Sequence, residues 1–268
     1  MSSAVPPAPP LVRVEAQGAA RVVTLNRPEA KNALGAELVG ALLEVLAATA
    51  ADDRVRGLVI TGAGADFCAG ADLKALQQLS TRTPAENLED SRRLARLLRE
   101  MHLHPKPLAA AVRGHALAGG AGLACACDRV VAARDSRFGF TEARIGFVPA
   151  IVARFVVDRV GPRLARDLLL TARRIEADEA LAIGLADELA PAEEVVARAL
   201  AWVETLEPCS PRSLAATRRL LAEMAGKELE AALDAAAELN ARMRTEPDCR
   251  EGVAAFLEKR KPRWLADP

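Results

Sequence analysis

The spacing of apolar residues changes along this chain. Up to about residue 190, short apolar runs typical of buried strands alternate with stretches in which apolar residues recur every three or four positions, as on one face of a helix. Beyond that point only the helical spacing continues. Strands that alternate with helices indicate an α/β core, and the last third indicates a helical C-terminal extension.

The predicted elements are short and end at turn signals. The predicted strands are 11–15, 21–26, 57–61, 108–112, 129–133 and a short extended piece at 138–141. The predicted helices are 36–50, 72–79, 88–102, 121–127, 152–160, 162–170, 176–184, 191–205, 213–225, 227–244 and 251–259. Residues 80–87 are polar and include Pro84, so we expect a mobile loop over a site there.

The organisation of the chain follows from these elements. Strand–turn–helix units recur at a spacing of roughly 50 residues, which favours a coiled or spiral arrangement. The first ten residues are rich in Ser, Ala and Pro, and we expect them to form a flexible tail rather than a signal peptide. We therefore divide the chain into a tail (1–10), a core (11–200) and a helical C-terminal region (201–268).

Composition excludes several classes of protein. The 268 residues are 51% hydrophobic, which is enough for one large domain. The net charge is zero and aromatic residues make up only 3%, which argues against nucleic-acid binding. No apolar run approaches the roughly 20 residues that cross a bilayer. Five cysteines, an odd number without zinc spacing, predict reduced thiols in a cytoplasmic protein and no metal site.

Two glycine- and alanine-rich turns, at 68–72 and 114–120, each lie between a strand-like and a helix-like run. Backbone N–H groups at a helix start have no partner within the helix, and glycine lets another atom approach them closely. Each turn alone is explained as well by tight turning and packing. Two such turns together can stabilise an oxygen that becomes negative during a reaction. The nearest acid in a plausible site is Glu142.

Other known motifs fail in detail. Gly62-Ala63-Gly64 follows a strand, as in a dinucleotide-binding fingerprint, but Phe67 stands where the third glycine is required. The chain contains no Gly-Lys-Ser/Thr of a phosphate-binding loop and no Gly-x-Ser-x-Gly of a serine hydrolase. An oxyanion hole with one acid beside it is therefore the chemistry that the sequence favours.

Several longer motifs occur together along nearly the whole chain. They are VTLNRP at 23–28, KNAL at 31–34, TGAG at 61–64, FCAGADL at 67–73, KP at 106–107, the segment 114–128 and LTARRI at 170–175. This combination resembles the crotonase superfamily, the enoyl-CoA hydratases and isomerases. The resemblance implies a ββα-spiral core and a helical C-terminal region that takes part in trimerisation, in a homo-trimer or homo-hexamer. It also implies an acyl-CoA thioester as ligand, with no cofactor besides the coenzyme A of the substrate.

The resemblance assigns roles to individual residues. The N–H groups of Ala71 and Gly119 would hold the thioester oxygen, and Glu142 would be the catalytic acid/base. Lys31 and Lys74 would meet the phosphates and the adenosine end of coenzyme A. Lys259, near Phe256, would meet the adenosine of the same or a neighbouring subunit. Solvated surface positions explain these residues equally well. Substrate contacts are assigned in all to Lys31, Ala69, Gly70, Asp72, Leu73, Lys74, Gly120, Gly122, Phe256 and Lys259.

The chain departs from the fullest family pattern at Gly122, where such hydratases carry a second glutamate. Among the nearby acids, Asp66 is a candidate replacement, whereas Asp72 more readily caps a helix and Asp128 starts a strand. A single acid is compatible with hydration, as in the hydratases of enoyl-CoA or methylglutaconyl-CoA that this chain resembles. It is also compatible with 3,2-enoyl-CoA isomerisation, or with a CoA-ester-binding component without turnover.

Two further features bear on the site. Residues 149–154 replace a glycine-rich turn of many family members, which predicts a bulkier and more apolar wall near the acyl group. Glu142 has a competing interpretation as an exposed loop acid paired with Arg144. His115 lies in the second turn at a position that usually holds a packing residue, so we assign it no catalytic role.

Overall fold

The computed structural model of the protein describes residues 9–72, 77 and 82–265. The strands are β1 (Val12–Gln17), β2 (Ala20–Leu25), β3 (Gly57–Gly62), β4 (Leu108–Val112), β5 (His115–Leu117), β6 (Arg129–Ala133), β7 (Arg137–Gly139), β8 (Arg174–Glu176) and β9 (Glu188–Ala190). The helices are α1 (Ala36–Ala51), α2 (Pro84–His102), α3 (Gly119–Cys125), α4 (Ala150–Thr171), α5 (Ala177–Ala182), α6 (Val195–Glu204), α7 (Pro211–Met224), α8 (Leu229–Met243) and α9 (Pro247–Glu258). Short 3₁₀-helices cover Pro28–Ala30, Glu142–Ile145 and Arg263–Leu265. The fold belongs to the predicted α/β class.

The larger sheet has the strand order β1-β2-β3-β4-β6-β9. β1 and β2 pair antiparallel, and the remaining neighbours are parallel. Every residue of β3 and β4 is buried. A parallel strand that is covered on both faces needs small or apolar residues at all positions, and the sequences GLVITG and LAAAV supply them.

Helices cover both faces of this sheet. Alternate residues of β3 point to opposite faces, so Leu58 and Ile60 join one buried cluster and Val59 joins the other. α1 and α2 pack with the first cluster, and α6 packs with the second. α6 lies so close to β3 that a Cβ on Gly57 would be 2.6 Å from Val203 Cγ1. This glycine therefore sets the helix-to-sheet distance.

A smaller sheet with the order β5-β7-β8 lies beyond the end of β4. Two isolated parallel bridges, Leu34 with Ala71 and Cys68 with Ala116, connect it to the segments that follow β2 and β3. These bridges hold together three chain segments near one edge of the larger sheet. The candidate site lies among them.

The C-terminal helices are covered less completely than the core. Ala232 and Ala255 are the buried apolar residues of α8 and α9. Arg218 connects α7 to the core, since its Nε donates to Asp128 Oδ2 (2.9 Å) and its Nη2 to Met101 O (3.2 Å). Large apolar side chains on these helices remain exposed, namely Leu221, Leu229, Leu233, Val253, Phe256 and Leu257.

Some boundaries differ from the sequence prediction. Residues 84–87 are helical rather than part of a loop, because Thr83 and Glu86 form a capping box at the start of α2. The Thr83 side chain accepts a hydrogen bond from Glu86 N, and the Glu86 side chain accepts one from Thr83 N. α3 begins at Gly119, two residues earlier than predicted. The predicted helix 72–79 lies outside the described residues apart from its first residue and Gln77, as does the rest of the predicted loop at 80–81.

Other differences concern short strands. β8 and β9 were not predicted, because three residues are too few for a period of two to be recognised. The predicted turn at Gly161 is confirmed, since its φ of 76° and ψ of 164° are not helical and interrupt α4 between the helices predicted at 152–160 and 162–170. The cysteines all lie among the described residues, and none forms a disulfide. Within the described ranges, no helix combines the length and hydropathy needed to cross a bilayer.

Candidate active site

The two glycine-rich turns lie side by side, because each follows one of two neighbouring parallel strands. β3 and β4 leave the sheet at the same edge. Beyond them, Cys68 N donates a hydrogen bond to His115 O (3.0 Å), and Leu117 N donates one to Cys68 O (3.0 Å). The structure therefore brings together the two turns that the sequence singled out.

Two glycines permit this close approach. A Cβ on Gly70, whose φ is +93°, would lie 2.8 Å from Leu117 O and 2.9 Å from Ala118 Cβ. A Cβ on Gly120 would overlap the backbone of Cys68. Both residues set the distance between the turns, and neither is among the residues that line the cavity beside them. The packing interpretation thus holds for these two glycines.

The amides of Ala71 and Gly119 point away from the bonds that anchor each turn. Gly70 O accepts a hydrogen bond from Leu34 N (2.7 Å), and in a trans peptide the N–H of the next residue points the opposite way. Ala118 O likewise accepts the first intrahelical bond of α3, from Gly122 N (3.0 Å). The N–H of Gly119 is therefore directed out of the helix start.

A cavity of about 410 Å³ opens beside these two residues. Four residues that the sequence assigned to the site are in its lining: Ala69, Ala71, Gly119 and Glu142. Most of the remaining wall is apolar and comes from α1, α2 and the segment 145–152. It includes Leu34, Val39, Leu94, Ile145, Phe147, Val148, Ile151 and Val152.

Glu142 begins a 3₁₀-helix at the cavity wall. Its Oε2 atom is buried and has no hydrogen-bond partner among the described residues. Burial raises the pKa of Glu142, opposed by a smaller effect of a hydrogen bond from its own backbone. The competing interpretation, an exposed acid paired with Arg144, is wrong, because the side chain is partly buried and forms no such pair. A carboxyl group in this state can both accept and return a proton.

Gly122 lies on α3, beneath the cavity wall. A Cβ at this position would be 3.0 Å from Val152 Cβ and closer still to Val152 Cγ1. Val152 is itself buried and lines the cavity. The two departures noted in the sequence are therefore one structural feature, because the bulkier segment 149–154 fills the space that Gly122 leaves.

Asp66 connects three parts of the site region rather than facing the cavity. Its Oδ1 accepts hydrogen bonds from His115 N (3.0 Å) and lies 2.6 Å from His115 Nδ1, and its Oδ2 is 3.7 Å from Lys31 Nζ. Burial alone would raise the pKa of Asp66, but the bonds with His115 and the nearby Lys31 lower it overall. Asp66 is thus held ionised as an anchor for both turns.

The other candidate acids also have structural partners. Asp72 is buried and pairs with Arg27, whose Nη1 is 2.9 Å from Asp72 Oδ2. Asp128 Oδ2 accepts a hydrogen bond from Leu108 N (2.7 Å) at a strand start, as the sequence suggested, and a second from Arg218. Neither carboxylate is among the lining residues of the cavity.

Of the residues predicted to meet coenzyme A, those that the structure describes lie outside the cavity lining. Lys31 is exposed for 61% of its side chain and lies next to Asp66. Phe256 is 83% exposed on α9, and Lys259 caps the end of that helix with φ 53°. Leu73 and Lys74 fall outside the described residues. The structure therefore leaves the coenzyme contacts as predictions.

Sequence reasoning missed the contribution of α2. Asp90, Ser91, Arg93 and Leu94 from its first half all line the cavity. The helical spacing of Leu94, with the buried Leu97, Leu98 and Met101 further along, predicts the inner face of α2, and extending that face backwards reaches Ser91. The signal was present, but it marked a helix face rather than a site.

Comparisons with known proteins agree with this geometry. The enoyl-CoA hydratase/isomerase family model matches residues 15–267. A Thermus thermophilus protein whose enoyl-CoA hydratase name is provisional is 44% identical, over 95% of this chain and 100% of its own. The 2,3-dehydroadipyl-CoA hydratase of Escherichia coli is 35% identical over 90% of this chain and 93% of its own.

Solved structures agree as well. AtuE of Pseudomonas aeruginosa superposes with a TM-score of 0.89 at 39% identity, over 96% of this chain and 100% of its own. An enoyl-CoA hydratase of Shewanella pealeana gives a TM-score of 0.90 at 29% identity, over 95% and 96% of the two chains.

The fold and the cavity define an α/β protein in which the residues Ala71 and Gly119 line one cavity together with a single glutamate, Glu142. The comparisons with known proteins identify the family. The chain belongs to the enoyl-CoA hydratase/isomerase family, within the crotonase superfamily, and is an enzyme of that family.

Proposed function

We propose that the protein catalyses the reversible addition of water to a 2-enoyl-CoA thioester, with Glu142 as its acid/base. The observation that carries this proposal is the buried, unpartnered Oε2 of Glu142 in the same cavity as Ala71 and Gly119. Relatives named as hydratases support it.

The thioester carbonyl oxygen accepts hydrogen bonds from the N–H groups of Ala71 and Gly119. Polarisation of this carbonyl makes C3 of the conjugated chain electrophilic. When a nucleophile adds at C3, the electron pair of the double bond moves onto the thioester oxygen as an enolate. Fixed N–H donors at that oxygen stabilise the transition state, and each such donor contributes about 3–4 kcal/mol in well-studied oxyanion holes.

Glu142 supplies both proton transfers. As a carboxylate it takes a proton from the attacking water while the water oxygen bonds to C3. The resulting carboxylic acid then gives that proton to C2 of the enolate, which restores the thioester carbonyl. The product carries OH at C3 and H at C2, and Glu142 returns to its starting state.

The wall formed by Gly122 and Val152 favours a second candidate, 3,2-enoyl-CoA isomerisation. Here Glu142 removes a proton from C2 of a 3-enoyl-CoA, the enolate forms at the same two amides, and the proton returns at C4. This route needs no water, so the apolar wall suits it. The two reactions share the oxyanion hole and differ in whether water is present at C3.

The remaining features of the proposal concern the coenzyme and the assembly. Lys31 contacts the coenzyme A phosphates and Phe256 with Lys259 the adenosine, with Lys74 as a further cation. The exposed apolar side chains on α8 and α9 support a homo-trimer or homo-hexamer. No cofactor besides the coenzyme A of the substrate takes part, and the protein works in the cytoplasm.

The test is an assay of the purified protein with two substrates. Hydration of crotonyl-CoA removes the absorbance of the conjugated thioester, whereas isomerisation of 3-hexenoyl-CoA creates it. We expect the first, and we expect E142Q to lower its rate about 10²- to 10⁴-fold while still binding the ester. Gain of absorbance alone would assign the isomerase instead. Binding of CoA esters by calorimetry with no turnover of either substrate would assign a binding component.

A further inference from the structure

The attacking water of the hydration reaction needs two hydrogen-bond partners. One of its O–H groups gives a proton to Glu142, and the other O–H remains in the product. A water held by a single bond can rotate, so a second acceptor is needed to direct its lone pair at C3. In this chain position 122 is a glycine, and the space beside it is filled by Val152. The second acceptor therefore has to come from another part of the cavity wall.

Few of the described lining residues offer such an acceptor. Apart from Glu142, the polar side chains of the cavity wall are those of Asp90, Ser91, Arg93 and Thr141. A guanidinium group has donors and no acceptor, which excludes Arg93. The Asp90 carboxylate has its Oδ1 3.8 Å from Arg93 Nη1, and it is 43% exposed. The hydroxyl groups of Ser91 and Thr141 are the uncharged candidates.

Thr141 belongs to the same wall as Glu142. It directly precedes Glu142, which begins a 3₁₀-helix. Successive side chains of such a helix diverge by about 120°, because the helix has three residues per turn. Thr141 therefore does not face Glu142 across the cavity. A water that is held from two sides needs its second partner on a different wall.

α2 provides that wall, because it runs beside α3 in the same direction. A Cβ on Gly119 would lie 3.8 Å from Leu94 Cδ2. Three residues later on α3, a Cβ on Gly122 would lie 3.8 Å from Leu98 Cδ1, four residues later on α2. Ser91 precedes these leucines by three and seven positions, so it shares their face of α2. It lies about 4.5 Å before the level of Gly119, and lines the cavity in front of the first N–H groups of α3.

We propose that the Ser91 hydroxyl positions the attacking water, in place of the second glutamate that this chain lacks. The proposal rests on the proposed function, because it presupposes the addition of water at C3. The Ser91 oxygen accepts a hydrogen bond from one O–H of the water, and Glu142 accepts the other. The second proton passes to Glu142 and then to C2, and the water oxygen bonds to C3. Ser91 neither gains nor loses a proton, so it is a positioning residue.

The test measures two reactions that both need Glu142, of which only one needs a water at C3. The first is the hydration of crotonyl-CoA. The second is the exchange of a C2 proton of butyryl-CoA for deuterium in heavy water, followed by mass spectrometry. In this exchange Glu142 takes the C2 proton, the enolate forms at Ala71 and Gly119, and a deuteron returns to C2.

The variant S91A should affect only the first reaction. We expect kcat for hydration to fall about ten- to one-hundredfold, because the water loses its orientation. KM and the rate of deuterium exchange should stay within about twofold, because the hydroxyl contacts neither the ester nor the enolate. S91T keeps the hydroxyl and should retain most of the hydration rate. An unchanged exchange rate also shows that S91A is folded.

Two further variants complete the comparison. S213A is the matched control, since Ser213 is an exposed serine on α7 that is not among the lining residues, and it should change neither reaction. T141V tests the other hydroxyl, and any effect that it has through Glu142 should reach both reactions. Equal losses of hydration and exchange in S91A would overturn the role of Ser91. A loss of hydration alone in T141V would do the same.

The wild-type protein tests the proposed function independently. If it exchanges the C2 proton but does not hydrate crotonyl-CoA, the proposed hydration fails, and the role of Ser91 fails with it. If wild type and S91A hydrate crotonyl-CoA equally fast, the proposed function stands and only the role of Ser91 is rejected.

Discussion

Val152 fills the space in which any longer side chain at Gly122 would have to lie, with its Cβ 3.0 Å from the position that a Cβ there would take. The space that a glutamate at position 122 would occupy is therefore not empty. The side chain of Val152 on α4 occupies this space, and the wall between α3 and α4 is tightly packed there. A larger side chain at position 122 therefore requires a smaller one at position 152.

This packing predicts strong coupling between positions 122 and 152. G122E should lower the free energy of unfolding by about 3 kcal/mol, because it forces a side chain into filled space. V152A should cost about 1–3 kcal/mol through the cavity that it leaves. The double variant G122E/V152A should be more stable than the sum of the two costs predicts, as measured by urea unfolding. Additive costs would contradict the contact.

The close approach of the two turns predicts that Gly70 cannot carry a side chain. G70A should cost about 2 kcal/mol or more, since the added methyl meets Leu117 O and the φ of +93° is strained for alanine. It should also lower kcat, because it separates the two oxyanion donors. G40A is the matched control, as Gly40 lies inside α1 with open space around it, and it should raise stability by about 0.5–1 kcal/mol. A neutral G70A would reject this account.

The raised pKa of Glu142 predicts the pH dependence of the reaction. Hydration needs the carboxylate form, so kcat/KM should fall as the pH drops through this raised pKa, above the ordinary range for glutamate. E142Q should lower kcat/KM about 10²- to 10⁴-fold and remove this limb from the pH profile. The free energy of unfolding changes in the opposite direction to activity. Because the pKa of Glu142 is raised in the folded state, the folded protein loses stability as the pH rises through that pKa. E142Q does not have this loss, so its stability relative to wild type should increase toward high pH. If the difference in stability between wild type and E142Q did not change with pH, the burial of Glu142 would be contradicted.

The lowered pKa of Asp66 predicts the reverse dependence. A depressed pKa stabilises the folded state above the pKa of the unfolded chain, and this contribution is lost as the pH falls through the folded value. D66N should therefore cost about 1–3 kcal/mol at pH 7 and progressively less below about pH 4. D135N, at an exposed acid, should be neutral at both pH values. Thermal unfolding across this range provides the measurement, and a constant cost for D66N would count against the anchor role.

The exposed apolar face of the C-terminal helices predicts self-association. Leu229 and Leu233 lie one turn apart on α8 and are 74% and 58% exposed. The variant L229D/L233D should shift the mass measured by light scattering to that of a single chain, if these side chains are buried between subunits. E230K, a surface change on the same helix, should leave the mass unaltered. A wild-type protein of single-chain mass would reject this role for the two leucines.

Sequence patterns predicted most of the core and only part of the site. β4 and β6 coincide with their predicted ranges, because continuous runs of small and apolar residues are unambiguous there. The start of α2 was predicted as a loop because Pro84 is a turn signal. The Thr83 and Glu86 pair has the spacing of a capping box, which indicates a helix start instead. β8 and β9 exist through pairing with distant strands, which no local pattern records.

For the site, the two turns and Glu142 could be predicted because glycine content and a lone acid are local signals. The partner of Gly122 could not, since Val152 is 30 positions away and its contact depends on how α4 packs. Arg93 was missed for a similar reason. A charged residue on a helix is usually on a solvated face, and only the folded structure places this one at the cavity.

The bridges from Leu34 to Ala71 and from Cys68 to Ala116 have a kinetic consequence. Each joins segments that are tens of residues apart in the chain, so the oxyanion hole cannot form from any local fragment. Such distant pairings close late, because the loop between them must be ordered first. Catalytic competence should therefore return in the last phase of refolding, after the helices have formed, which makes turnover a reporter of complete folding.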